Sequence, residues 1–361
     1  MLEYFLGLRA GKQISFASHF IRPTITIRPQ PTPKPPALRP EESIVSSWEY
    51  ESPPLVSVWC WTYNHIHFLE DALQGILGQV TSFPFELILR DDASTDGTTD
   101  VVRKYASSYP NIIVPIIEPE NTWGKVNILQ VFQNHSRGEY VSFNDGDDYW
   151  FDENKLQSQV TILRKDISYA MACHSVEVIS GNYVQSTETK KKIYHPARST
   201  RLKFKDILEH HVIPTLSLTY RANLLKEFPS WMTKIRSGDI AVELLLAAKG
   251  DCYYDFNPMG VYRLHSGGVS SNKNDVEDLV KAEYFLYESV NIHLHYKYSK
   301  LIKKRKAKID WKLGVYRFKN KKIIMGLRLI TKAFLHDPLF TIISVIKLFL
   351  IKCKGRYYGG L

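Results

Sequence analysis

Within the stretch "FNDGDDYW" (143–150), three aspartates, Asp145, Asp147 and Asp148, fall inside four positions. Carboxylates held that close repel, and each resists ionising beside the others unless a cation or a cationic ligand sits among them. The chemistry such a turn offers is the binding of a hard divalent cation by oxygen donors. The competing reading is a solvated turn whose aspartates cap the next helix. A second cluster, "DDASTDGT" (91–98), puts Asp92, Ser94, Asp96 and Gly97 at positions 1, 3, 5 and 6 of a calcium-binding loop. Position 12 is Arg103, where a bidentate glutamate is required, so that reading fails. Neither G-x-x-x-x-G-K-[ST] nor a G-x-G-x-x-G after the first strand occurs, which removes the common phosphate loops. What Asp92 offers is a carboxylate that accepts a hydrogen bond from a ligand N–H, with Ser94 and Asp96 shaping the turn. A third polar cluster is Thr62, Tyr63 and Asn64.

The elements that must position these clusters follow from periodicity. "LVSVWCW" (55–61) is a continuous apolar strand, and "HFLEDALQGILGQV" puts Leu69, Leu73, Ile76 and Leu77 on one helical face. Strand "FELILR", helix "TTDVVRKYASSY", strand "IIVPIIE", helix "KVNILQVFQNH" and strand "EYVSF" follow in turn. The alternation predicts right-handed crossovers and a mostly parallel sheet flanked by helices. In such sheets ligands bind beyond the carboxyl ends of the strands, where all three polar clusters fall. After residue 165 the expectation is a strand at "YAMACHSVEVIS", another at "VIPTLSLTY", a buried helix at "SGDIAVELLLAAKG", and a strand at "MGVYRLHSGGVSS" ending in a mobile glycine pair.

The totals narrow the partners. The net charge is +10, but from Lys300 onward 17 Lys and Arg face only Asp310 and Asp337, which leaves the first 299 residues mildly acidic. A basic tail on an acidic body argues against a nucleic-acid-binding core. The four cysteines lie far apart with no C-x-x-C pair, and the opening residues lack a basic region followed by a sustained apolar run, so a reducing cytoplasm is expected. Seven prolines within 22–40 predict an extended linker. The expected organisation is an N-terminal extension over 1–54, one α/β domain over 55–275 and a basic helical extension over 276–361. "PLFTIISVIKLFLI" (338–351) is fourteen residues, short of the ~20 that span a bilayer, and predicts an interfacial helix drawn to an anionic membrane surface. An amphipathic helix packed on the domain is the alternative.

In order along the chain, "VSVWCWTYNHIHFLEDALQGIL", "FELILRDDASTDGT", "NTWGKVNILQVFQNHSRGEYVSFNDGDDYWFDENKL", "SGDIAVELLLAAKG" and "YRLHSGGVS" resemble the inverting glycosyltransferases of family 2, of the bacterial surface-polysaccharide type. The resemblance covers roughly residues 55 to 270 and implies the GT-A fold, with a nucleotide-sugar donor (a UDP-sugar), Mn2+ or Mg2+, and a glycan or lipid-linked acceptor. It makes Thr62, Tyr63 and Asn64 substrate-binding, with Tyr63 flanking the nucleobase and Asp92 its hydrogen-bonding partner. Asp145 and Asp147 become the ribose and metal-diphosphate carboxylates of a D-x-D motif, His265 a third metal ligand or diphosphate contact beside Arg263, and Asp239 the general base. Proline often precedes the threonine of the first cluster in that family, and here Trp61 stands there. The resemblance also implies an enzyme working in the cytoplasm, peripheral on the inner face of the membrane. A nucleotidyltransferase would need a glycine-rich basic signature near the first strand, which "WTYNHIHF" does not offer. A catalytically inactive sugar-nucleotide-binding or membrane-scaffold module has no reason to keep Asp145, Asp147 and Asp239.

Overall fold

The computed structural model describes residues 32–50, 52–180, 190–194, 198–210, 213–235, 237–265, 267 and 276–346. Contacts divide the described residues into two compact units, one within 32–267 and the other over 276–346. In the larger unit, strand β1 (Val56–Thr62), helix α1 (Leu69–Leu77), β2 (Phe85–Asp91), α2 (Thr98–Ser108), β3 (Ile113–Ile117), α3 (Ile128–His135) and β4 (Tyr140–Asp145) form the expected alternation. Every residue of β2 is buried and nearly every one of β1, which is why they read as continuous apolar runs: both faces of the sheet are covered. The register is parallel throughout this half, with Thr62 beside Asp91 and Trp61 beside Asp145.

The chain then reverses through β5 (Tyr149–Trp150), helix α4 (Lys155–Lys165) and β6 (Tyr169–Ser180), followed by β7 (Lys190–Tyr194), β8 (Thr200–Leu202), α5 (Phe204–His210), β9 (Thr219–Arg221), α6 (Gly238–Ala247) and β10 (Asp251–Leu264). The strand order is β3-β2-β1-β4-β9-β6-β10-β5, with β7 on β6 and β8 on β10. β9 and β5 run antiparallel to their neighbours, so the parallel sheet acquires a mixed second half. Two expectations change here. "VIPTLSLTY" gives a strand only at its last residues, because Pro214 starts a 3-10 turn over Thr215–Ser217. β10 begins at Asp251 rather than near 259, and its pairing with β6 slips between Asp255 and Pro258, which hides its alternation. Of the glycine pair, Gly268 lies outside the described residues.

The proline-rich segment is not a free linker where it is described. Pro33 accepts a hydrogen bond from Tyr149 Oη at 2.5 Å, and Arg39 accepts one from Tyr109 Oη at 2.8 Å. Ile44, in the short helix 41–45, is fully buried in the domain core. An extended PPII-like strip without internal hydrogen bonds has its carbonyls available, and two tyrosines of the domain use them.

The smaller unit contains α7 (Val276–His293), α8 (Ser299–Lys319) and α9 (Ile323–His336), with residues 338–346 helical as well. α8 and α9 approach closely at Gly314 and Gly326: a Cβ on Gly314 would lie 2.9 Å from Ile330, and one on Gly326 2.6 Å from Phe318.

Candidate active site

β1, β2 and β4 deliver their polar clusters to one edge of the sheet. Oxygen atoms of Asp145, Asp147 and Asp148 lie within 4.8 Å of one another. The turn is tight because Gly146 donates its N–H to Trp61 O at 2.9 Å, leaving no room for a side chain beside Thr62 and His65. Asp145 carries a carboxyl pushed well above the ordinary range by burial, then by the charges of Asp147 and Asp239; a hydrogen bond from the Trp61 side chain acts the other way. Trp61, which stands where the resembling family often carries proline, is thus the side chain that opposes this rise. Burial also pushes Asp147 up, but His265 Nε2 at 2.9 Å and His65 Nε2 at 3.8 Å meet the same Oδ2, and together they hold it below the ordinary carboxylate range.

Asp148 does not cap a helix, since the cap of α4 is Asn154. It is buried, accepts the Arg263 N–H at 2.7 Å, and its Oδ2 has no hydrogen-bond partner among the described residues. Burial and the two neighbouring aspartates raise it well above the ordinary range. Arg263 also donates Nη1 to Asp147 O at 2.9 Å and pairs with Asp71, so its guanidinium latches the end of β10 to the acidic turn. Three close oxygens, one of them orphaned, form a hard donor set that suits Mg2+ or Mn2+.

Beyond β2, Asp92 Oδ1 accepts from Arg90 Nη2 (3.0 Å), Thr122 N (3.0 Å) and Thr122 Oγ1 (2.7 Å), which fixes the carboxylate against the sheet. Tyr63 is exposed. Asn64 adopts a positive φ of 55° and spends its side chain on the neighbouring loop, accepting from Thr95 N at 2.8 Å while its own N–H reaches Ser94 Oγ at 2.8 Å. Thr62 is buried, with Oγ1 unpartnered among the described residues, facing Gly146.

Asp239 lies in the first turn of α6, two residues past its cap Ser237, and accepts from Thr215 Oγ1 at 3.1 Å. Burial raises its carboxyl, while hydrogen bonds from the Ile240 backbone and Thr215 pull the other way. Sequence reasoning missed His65: nothing in "WTYNHIHF" distinguishes it from His67, and only the bend after β1 turns it toward Asp147.

Comparison with known proteins decides the family. Residues 57–228 match the model of "Glycosyl transferase family 2", and the chain is 30% identical over 247 residues, 67% of its length and 90% of the other's, to the putative teichuronic acid biosynthesis glycosyltransferase TuaG of Bacillus subtilis. The chain belongs to glycosyl transferase family 2. It is also 31% identical to an uncharacterized protein of Mycobacterium tuberculosis, spanning 58% of that protein's length as of its own. To the UDP-Glc:alpha-D-GlcNAc-diphosphoundecaprenol beta-1,3-glucosyltransferase WfaP of Escherichia coli it is 27% identical, over 67% of this chain and 89% of the other. Staphylococcus aureus TarS 1–349, solved with UDP-GlcNAc, superposes with a TM-score of 0.53 at 16% identity, covering 79% of this chain and 92% of that one. The fold is GT-A.

Proposed function

We propose that this family 2 protein is a metal-dependent inverting glycosyltransferase that moves a sugar from a UDP-sugar to a glycan or lipid-linked acceptor in surface-polysaccharide synthesis. The observation that carries the reading is the acidic turn at the carboxyl end of β4, with Asp239 close enough for its charge to raise Asp145. The names of TuaG and WfaP support the reaction class and that of WfaP the lipid-linked acceptor, while the likeness to TarS supports the fold alone. In this reading transfer takes place at the cytoplasmic face of the membrane.

Asp145 and Asp147 would hold Mn2+ or Mg2+, with His265 beside Asp147. When bound, such an ion supplies the positive charge that neutralises a departing diphosphate. The chain's own residues do the rest. Asp92, fixed by Arg90 and Thr122, accepts the nucleobase N–H, and exposed Tyr63 covers the base. Thr62 and Asn64 shape the floor and rim of that pocket. Arg263 holds the acidic turn in register with His265. Asp239 takes the acceptor hydroxyl proton as its oxygen attacks the anomeric carbon from the face opposite the leaving group. Its raised carboxyl makes it a stronger base than an ordinary aspartate.

Asp239→Asn is the test. Asparagine keeps the hydrogen bond from Thr215 but cannot take a proton, so turnover should fall by about 10² to 10⁴ with donor affinity kept. A variant working at more than a tenth of the parent rate would overturn the assignment.

A further inference from the structure

The smaller unit has an apolar core around Ala307, Trp311 and Ala333, yet its last two helices leave many of their large apolar side chains in water. In helix 338–346, the buried positions include polar Thr341 and Ser344, whereas Leu339, Ile342, Ile343 and Ile346, spaced i, i+3, i+4, i+7, are 41 to 69% exposed. α9 repeats the pattern: small Gly326 and Ala333 are buried, while Ile324, Leu327 and Leu335 are exposed. The small residues are inside because α8 and α9 cross at Gly314 and Gly326, too close for large side chains. An apolar stripe of this size in water marks a surface built for another apolar phase.

Charge identifies that phase. Lys321 and Lys322 sit at the start of α9 and Arg328 within its exposed face, and among the described residues no carboxylate pairs with them. From Lys300 onward, 17 basic residues face two acidic ones. A protein partner would have to match both the apolar stripe and this excess of cations, whereas an anionic bilayer presents headgroup phosphates directly above acyl chains. Among the described residues no helix is long and apolar enough to cross a membrane. We infer that α9 and helix 338–346 lie in the interface of an anionic lipid bilayer, with Leu339, Ile342, Ile343 and Ile346 entering the acyl boundary and Lys321, Lys322 and Arg328 meeting the headgroups. This surface does not depend on the transfer reaction, and its failure would leave that reading standing.

The experiment uses the full chain with vesicles of phosphatidylcholine alone or with a third phosphatidylglycerol, read by co-sedimentation, with thermal unfolding and light scattering of the lipid-free protein alongside. The parent should sediment with the anionic vesicles, weakly with the neutral ones, and less in high salt. Lys321→Ala, Lys322→Ala and Arg328→Ala together should weaken anionic binding on the order of a hundred-fold. Ile342→Glu with Ile343→Glu should abolish it while leaving the unfolding midpoint and donor binding unchanged, because in the free protein those positions already face water. A large fall in the midpoint would mean that the stripe is covered within the molecule, and would overturn the inference. So would a parent dimer that the glutamates convert to monomer, or a parent that binds neutral and anionic vesicles equally.

Discussion

Gly146→Ala tests whether the acidic turn is a rigid part of the site. A Cβ there would lie 2.8 Å from Thr62 Cβ, 2.9 Å from Thr62 Oγ1 and 3.0 Å from His65 Nδ1, about 0.6 Å short of an ordinary contact at the closest atom. Neither neighbour can retreat. Thr62 is paired with Asp91 in the parallel ladder and its carbonyl holds the Asp92 N–H, while His65 is tied to Thr98 Oγ1 through its own N–H at 2.9 Å. The turn must move instead, carrying Asp145 and Asp147 with it. Overpacking of this kind costs about 1–3 kcal/mol, and displacing reacting groups by a sizeable fraction of an ångström costs on the order of 10- to 100-fold in rate. Urea denaturation gives the first quantity. The second comes from initial rates of metal-dependent donor turnover, measured well below the unfolding transition so that both proteins are folded. A variant that loses stability but keeps the parent rate would show that the turn does not position the chemistry; one that keeps both would show that β1 yields more readily than its pairing implies.

Three further outcomes are expected. His65→Gln, which removes the second imidazole from Asp147 Oδ2, should weaken Mn2+ binding about 10- to 100-fold, read by electron paramagnetic resonance of free Mn2+; unchanged affinity would reduce His65 to a packing residue. Gly238→Ala should stabilise the protein by about 0.5–1 kcal/mol with turnover kept, because the position is helical and its Cβ would meet only Leu129 at an ordinary 3.6 Å. Burial, then the charges of Asp239 and Cys252, raise the Glu243 carboxyl well above its ordinary value, so its contribution to stability is full below pH ~4.5 and is lost as pH rises through the raised folded value. Glu243→Gln should flatten that decline, and urea midpoints at pH 5 and pH 8 that move in parallel with the parent's would refute it.

The strands that carry the site were legible because they are buried on both faces and end in polar clusters. β1, β2 and β4 read as apolar runs, and Asp92 and Asp145 fall where a parallel sheet binds ligands. What escaped the sequence was any feature set by a third dimension. His65 reaches Asp147 only through the bend that gives Asn64 its positive φ. Trp61 looks like one more core aromatic, and nothing in its sequence context points to the lowering influence it has on Asp145. β10 is masked by its own slip against β6. The pattern of 338–346 says that a helix is amphipathic, but not whether its apolar side faces inward or outward. Periodicity reports that two faces differ, and only packing reports which one is covered.

The charges of the acidic turn add up unevenly, and the unevenness says where a cation has most to gain. Asp147 has two imidazoles against one oxygen. Asp148 has the Arg263 backbone N–H and the nearby guanidinium charge. Asp145, at the strand end between Asp147 and Asp239, has the Trp61 side chain as the one group that lowers it, and it is pushed well above the ordinary range. A half-buried carboxyl in that position, beside two other carboxylates, keeps its proton or finds positive charge from outside the chain. Asp145 and Asp147 would hold a divalent ion at this point, and the positive charge it would supply is the charge that the chain's own residues leave unmet at Asp145. That charge would also favour the ionised form of Asp239, the carboxylate proposed as the base.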